Sequence, residues 1–155
     1  MNQHAAHGHP NAYARLGIEL VIDFAIMYLV MYTMIATTDH FRLNLNNVYM
    51  TLMMVAPMAL VMLGAMRSMF PARRVNLLLA GAAALIFICS FAAMRTQAAV
   101  GDREFLRSMI PHHSGAILMC EKAKLSDPEV VALCGDIVRS QATEIAQMEA
   151  ILQRH

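Results

Sequence analysis

Long apolar runs occupy most of the chain up to residue 97. They cover residues 16–36, 48–70 and 75–97, and each is long enough to cross the hydrocarbon core of a bilayer, which takes about 20 helical residues. The pattern therefore predicts three membrane-spanning helices. Because the connection at residues 70–74 is short, the second and third spans are expected to be antiparallel neighbours.

After residue 97 the apolar positions recur every three or four residues, as in amphipathic helices. Two helices are expected, at about residues 103–124 and 128–153, with Ser126 or Asp127 capping the second. Their stripes should face each other to form a hairpin. The predicted stripe of the first helix is Phe105, Met109, His112, Ala116 and either Met119 or Cys120; that of the second is Val131, Cys134, Val138, Gln141, Ile145, Met148 and Leu152.

This pattern predicts an all-α protein with three parts. They are a His-containing N-terminal segment at residues 1–15, a three-helix membrane domain at 16–97 and a helical hairpin at 98–155. Two helices bury little surface, so we expect the hairpin to complete a four-helix bundle by homodimerisation.

Composition supports a membrane protein and excludes one class of partner. Hydrophobic residues make up 58% of the chain and charged residues 15%, which is far from the balance of a soluble domain. The formal charge is only +1 and no dense cluster of lysine and arginine occurs, so a nucleic-acid partner is not expected. When only short loops are counted, the arginines favour an extracytoplasmic hairpin.

The first helix of the hairpin carries an unusual set of side chains, MIPHHSGAILMC at residues 109–120. Met109 lies within one turn of His112 and His113, and folding the hairpin about residue 127 places the histidines opposite Gln141, with Glu144 about one turn away. Thioether and imidazole together suit Cu(I) and, by similar softness, Ag(I). Gln141 would then orient an imidazole ring. The alternative is that one histidine faces solvent and the other is a hydrogen-bonded core residue.

Cys120 and Cys134 are expected at the same height of the hairpin, away from the histidines. They could form a disulfide bond outside the cytoplasm, bind a soft metal as thiolates, or pack as small apolar residues.

A two-part motif runs through the hairpin: Met109-Ile110-x-His112-His113-x-x-Ala116, then Gln141-x-x-Glu144-Ile145-x-x-Met148. It resembles the bacterial family catalogued as domain of unknown function 305, which is often ferritin-like in outline and associated with copper. The Met-rich spans are similar to those that precede this domain in some members. The resemblance implies a four-helix arrangement, an extracytoplasmic hairpin and a role in copper binding or tolerance. Its implied ligands are Met109, His112, His113, Glu144 and Met148. The chain differs from the family pattern at Ser114, where Gln is frequent, and at Ala150 and Ile151, where Trp is frequent.

Methionines also form stripes inside the predicted spans. The chain has 15 methionines, and a stripe of thioethers beside a carboxylate within a span could pass a soft cation, although methionine also serves as a flexible packing residue. The candidate membrane site comprises Asp23, Met27, Met31, Met54, Met58 and Met62. A weak additional site is expected at His4, His7 and His9.

These observations lead to one functional expectation and one alternative. We expect a non-enzymatic protein of the bacterial inner membrane that binds copper ions, Cu(I) in particular, for tolerance or delivery. Its partners would be membrane lipid, a second copy and a protein that donates or accepts the metal. The alternative is a metal-free membrane scaffold whose hairpin mediates oligomerisation.

Overall fold

A computed structural model describes residues 12–154, and within that range the chain is all-α with no strand. The all-α part of the predicted fold class is therefore confirmed. The helices are α1 Ala12–Val30, α2 Leu45–Ala65, α3 Arg73–Thr96, α4 Asp102–Lys122 and α5 Pro128–Leu152, with 3-10 helices at Met31–Met34 and Thr38–His40. The N-terminal histidines 4, 7 and 9 lie outside the described residues.

Three helical segments are long and apolar enough to cross a membrane: Ala12–Met34, Leu45–Ala65 and Arg73–Thr96. They coincide with the predicted spans to within a few residues. The first begins before the apolar run does, because the helix starts at the short polar stretch that precedes it, and ends in the 3-10 helix Met31–Met34.

The chain forms two compact units. One contains the chain up to Tyr28 together with Val48–Ala98, and the other contains Leu29–Asn47 and the chain from Ala99 onward. The sequence pattern divided residues 29–47 between the first span and a connector. In the structure this segment packs with the hairpin helices in the second unit.

At one end of the first unit, the hydroxyl of Tyr13 on α1 makes hydrogen bonds to residues at the start of α3. Tyr13 donates a hydrogen bond to Asn76 Oδ1 (2.9 Å) and accepts one from the backbone N–H of Ala72 (3.1 Å). The Asn76 amide in turn donates to the carbonyl oxygen of Phe70 (2.8 Å), whose ring lies beside Tyr13 with centroids 5.2 Å apart. These contacts hold the turn between α2 and α3 against the first helix.

The second helix of the hairpin, α5, begins with residues that suit a helix N-terminus. Asp127 caps α5 by accepting hydrogen bonds from the N–H groups of Glu129 and Val130, and Pro128 occupies the first helical position. Proline fits there because the first N–H groups of a helix have no partner within it. Of the two predicted caps, the helix uses Asp127.

The core of the hairpin consists of aliphatic side chains from both helices: Leu106, Ile110 and Ile117 from α4 and Ile145 and Met148 from α5.

The face predicted for α5 is correct over most of its length, since Ile145 and Met148 are buried and Cys134, Val138, Gln141 and Leu152 are partly buried. Val131 is an exception, being 50% exposed.

The face predicted for α4 is wrong by one residue. Phe105, His112 and Met119 are exposed, whereas Leu106, His113 and Ile117 are buried. A shift of one residue turns the buried face by about 100°. The physical reason is that α4 is covered on two sides, by α5 and by the segment 31–44, so its buried face is centred elsewhere than a two-helix hairpin requires.

Candidate functional site

His113 is the buried polar residue at the centre of the hairpin, with 7% of its surface exposed. Its Nδ1 lies 2.9 Å from the backbone oxygen of Met109, and its Nε2 lies 2.7 Å from Oε2 of Glu144 on the facing helix. Since a carbonyl oxygen can only accept, Nδ1 carries a hydrogen. The Nε2 nitrogen and the Glu144 carboxyl then share a second hydrogen across the seam.

Glu144 is held as a carboxylate by two neighbours. The hydroxyl of Ser140 donates to Oε1 (2.8 Å) and the His113 ring contacts Oε2. The Ser140 hydrogen bond, followed by that of His113, lowers the pKa of Glu144 below its ordinary value, and partial desolvation opposes this shift only in part. Because 46% of its side chain is exposed, Glu144 connects the buried imidazole with solvent.

Two thioether side chains lie one helical turn from this pair. Met109 precedes His113 by four residues on α4, and Met148 follows Glu144 by four residues on α5, so each lies on the same face as its polar neighbour. Met148 is 9% exposed and belongs to the hairpin core, against which the partly buried Met109 packs. Four of the five implied ligands therefore lie within about one helical turn of one another along the two facing helices.

The fifth implied ligand, His112, points away from the seam. It is exposed, and its ring centroid lies 6.0 Å from that of His113. Successive residues on a helix are about 100° apart, which prevents two adjacent histidines from sharing one face. The arrangement is the one described by the alternative interpretation, with one histidine in solvent and the other hydrogen-bonded in the core.

Gln141 does not have the role assigned to it from the sequence. Both nitrogens of His113 are engaged by Met109 and Glu144, so the backbone carbonyl, rather than Gln141, orients the ring. The facing residue is therefore Glu144, three positions further along α5. Among residues 12–154, no group of three or more His, Cys, Asp or Glu side chains is placed to hold a metal ion.

Comparison with known proteins identifies the family. Residues 89–152 match a family described as "Domain of unknown function (DUF305)". The chain is also similar to the Uncharacterized protein L153 of Acanthamoeba polyphaga mimivirus, with 37% identity over 113 residues, which are 72% of each chain. This chain belongs to the DUF305 family. No solved structure matches it.

The DUF305 match covers α4 and α5 and includes both cysteines of the hairpin. Cys120 and Cys134 form a disulfide bond, with Cα atoms 5.3 Å apart and a separation of 14 positions in sequence. The sequence left open a disulfide bond, thiolates that bind a soft metal, or apolar packing; the structure has the disulfide bond. The bond joins the last turns of α4 to the first turns of α5 and lies two turns from His113.

The candidate membrane residues lie outside the DUF305 match, and they do not form the buried face of their helices. Asp23, Met27, Met31, Met58 and Met62 are half-buried, and Met54 is 38% exposed. The buried positions of α2 are instead the mostly small residues Thr51, Val55, Ala56, Ala59 and Leu63. Small side chains allow close approach of helix backbones within membranes. The sequence pattern could not distinguish this face from the neighbouring methionine stripe.

A set of contacts around Ser114, next to His113, was not predicted. Ser114 is completely buried; its Oγ accepts a hydrogen bond from the N–H of Ala36 (2.7 Å) and lies 2.8 Å from Nδ1 of His40. We refer to residues 31–44 as the strap. Its Arg42 forms an ion pair with Glu149 of α5 at 3.2 Å. The strap therefore contacts both hairpin helices, although it lies far from them in sequence and outside the DUF305 match.

Proposed function

We propose that this DUF305 protein is a membrane-anchored binding protein for copper, with silver as a second ion of similar softness, and that it serves metal tolerance or delivery without catalysing a reaction. The observation that carries the proposal is the grouping of one buried imidazole with two thioethers and a carboxylate at the hairpin seam. Met109, His113, Glu144 and Met148 supply these groups.

The chemistry of these donors fits a soft monovalent ion. Thioether and imidazole ligands select Cu(I) over hard cations. Because Nδ1 of His113 donates to the Met109 carbonyl, Nε2 is the nitrogen that would bind the ion, once the hydrogen that it shares with Glu144 has been lost. Glu144 lies 2.7 Å from this nitrogen, so binding requires the carboxylate to open or to join the ligand set. Because the imidazole must be unprotonated to bind a metal, acidification is expected to weaken binding.

The proposed location is a membrane, with the hairpin on its extracytoplasmic side. Three helices with the length and apolar composition of membrane spans support the first part. The disulfide of the hairpin supports the second, because disulfide bonds persist in oxidising compartments. The resemblance to bacterial sequences favours a bacterial inner membrane, although the similar protein L153 is viral.

A second copy is the proposed partner that completes the bundle, and a metal donor or acceptor protein is the proposed functional partner. In support of dimerisation, Met119 and Val131 remain 60% and 50% exposed near the turn of the hairpin. Measuring the mass of the full chain in detergent by light scattering tests this part. A monomer at working concentration would contradict it.

Competition against a chromogenic Cu(I) chelator tests metal binding, using the full chain in detergent. Met148→Leu keeps the volume of the side chain and removes its thioether, so it is expected to weaken Cu(I) binding. Met119→Leu is the matched control, since Met119 is exposed and distant from the seam, and it should bind as the wild type does. If His113→Gln binds Cu(I) as tightly as the wild type, this site is wrong.

The second candidate is a metal-free scaffold in which His113 and Glu144 fix the register of the two helices. The contacts of both His113 nitrogens with Met109 and Glu144 favour it, as a buried polar pair can specify one packing arrangement. On this view His113→Gln destabilises the hairpin, and wild type and variant bind Cu(I) equally weakly. The competition experiment therefore separates the two functions.

A further inference from the structure

The second half of the strap has its polarity reversed relative to a loop in water. His40 and Arg42 are half-buried and Asn44 is only 4% exposed, whereas Phe41 and Leu43 between them are 39% and 55% exposed. After the 3-10 helix Thr38–His40, residues 41–44 alternate in exposure, as side chains of an extended segment do. Arg42 and Asn44 turn toward the protein, whereas Leu43 turns outward and Phe41 is partly exposed, with one side of its ring against Tyr32 (centroids 4.4 Å apart). This polarity is the opposite of the usual pattern.

The position of the strap in the chain explains what its outer face meets. The first membrane-length segment ends at Met34 and the second begins at Leu45. A connection of this length cannot extend far from the surface of the bilayer that the two segments cross. Aromatic and aliphatic side chains at the ends of membrane spans commonly sit at the boundary between headgroups and acyl chains.

Several backbone groups of the strap have hydrogen-bond partners within the protein. Irregular backbone is tolerated at the membrane only where its polar groups have partners. The carbonyl oxygen of Arg42 accepts hydrogen bonds from the Tyr32 hydroxyl (2.7 Å) and from the Asn44 amide (3.1 Å). Other strap groups are bonded as well: Ala36 N–H to Ser114, His40 N–H to Thr37, Phe41 N–H to Thr38, and the carbonyls of Asp39 and Phe41 to the Arg42 guanidinium.

We infer that the outer face of the strap, Phe41 and Leu43, inserts into the boundary region of the bilayer and so holds the hairpin at the membrane surface. The inner face transmits this constraint, because Arg42 binds Glu149 of α5 and Ser114 of α4 binds the strap. His113, the chain neighbour of Ser114, would then lie close to the lipid headgroups. The inference rests on the membrane anchoring in the proposed function and is independent of metal binding.

The chain contains no tryptophan, so single Trp variants of the full chain report the depth of chosen positions. Vesicles of phosphatidylcholine and phosphatidylglycerol, with or without bromine on the acyl chains, serve as membrane and quencher. Leu43→Trp is the test. Leu78→Trp on α3, 74% exposed, is the control within a proposed span, and Leu133→Trp on α5, 58% exposed, is the control in water. We expect brominated lipid to remove most of the emission of Leu43→Trp and Leu78→Trp and little of that of Leu133→Trp.

The controls separate the two ways in which the inference can fail. If Leu78→Trp is quenched while Leu43→Trp behaves like Leu133→Trp, the strap is in water although the anchoring is correct. If Leu78→Trp is not quenched either, the membrane anchoring itself is wrong and the inference fails with it.

A charged variant removes the objection that tryptophan has its own preference for the interface. Leu43→Asp is expected to accelerate hydrogen exchange of residues 35–44 in vesicles, because a carboxylate at this depth would pull the strap away from lipid. Leu133→Asp should leave that exchange unchanged. Equal exchange in Leu43→Asp and wild type would overturn lipid contact by the strap.

Discussion

Ser114→Ala removes a side-chain oxygen that ties the strap to α4. In the wild type this fully buried hydroxyl accepts from the Ala36 N–H at 2.7 Å and pairs with Nδ1 of His40 at 2.8 Å. Alanine fits the space but leaves a buried N–H without its acceptor. A buried donor that loses its partner costs about 1–3 kcal/mol, so we expect the strap to detach about 30-fold more often if the cost is about 2 kcal/mol.

Hydrogen exchange of the full chain, followed by mass spectrometry, measures this opening directly, because exchange of a protected amide reports the free energy of local unfolding. A peptide containing Ala36 should exchange roughly 10- to 100-fold faster in Ser114→Ala, the range that corresponds to about 1.4–2.8 kcal/mol. Peptides from the first unit should not change.

Ser108→Ala provides the matched control for this experiment. Ser108 lies on the same helix, and its hydroxyl donates to the Glu104 carbonyl of that helix at 2.8 Å, so its loss should leave strap exchange as in the wild type. If both variants exchange alike at Ala36, the strap is held by other contacts and the reasoning about Ser114 is wrong.

Three further results are expected from the full chain. Replacing Cys120 and Cys134 together by alanine, which opens a loop of 14 residues, should lower the unfolding free energy of the hairpin by about 3 kcal/mol in urea, and a reductant should do the same to the wild type. Met148→Ala should cost about 2–5 kcal/mol because it leaves a cavity in the core, while Leu133→Ala on the surface, 58% exposed in the wild type, should stay within about 0.5 kcal/mol. The pKa of Glu144 is lowered by folding. Its stabilising contribution is therefore complete above the ordinary glutamate pKa of about 4.3 and is lost as the pH falls below it. Across this pH range the melting temperature should change less with pH for Glu144→Gln than for the wild type.

Local rules of helix geometry account for what was predictable. The cap at Asp127 and the three-and-four spacing from Val138 to Leu152 determined where α5 begins and which face it buries. The error on α4 had a detectable sign in the sequence: His112 and His113 are adjacent and cannot both face one seam. If His113 had been assigned to the buried face in place of His112, the predicted face would have been Leu106, Ile110 and Ile117, which is the face that the structure buries.

The strap could not be found by the same rules, because hydrophobic periodicity describes helices and strands and says nothing about which loop covers them. In the sequence, nothing distinguishes Ser114 from other polar helix residues. Its role follows only from its contacts with Ala36 and His40 in the structure. One signal was present, the alternation of Phe41 and Leu43 with polar residues. Such a pattern predicts an amphipathic extended segment. For a loop in water, however, it would place the apolar side chains inward, whereas here Phe41 and Leu43 are the exposed residues.

The strap covers part of the DUF305 segment of this chain. The family match begins at residue 89, and the strap, which lies outside it, contacts the buried Ser114 of α4 through Ala36 and His40. A hairpin cut from the spans would expose that hydroxyl and leave α4 with one packed side. Within the second unit, Ala36 of the strap packs against the hairpin core. If His113 binds an ion as proposed, that ion lies one residue from the contact between Ser114 and the strap.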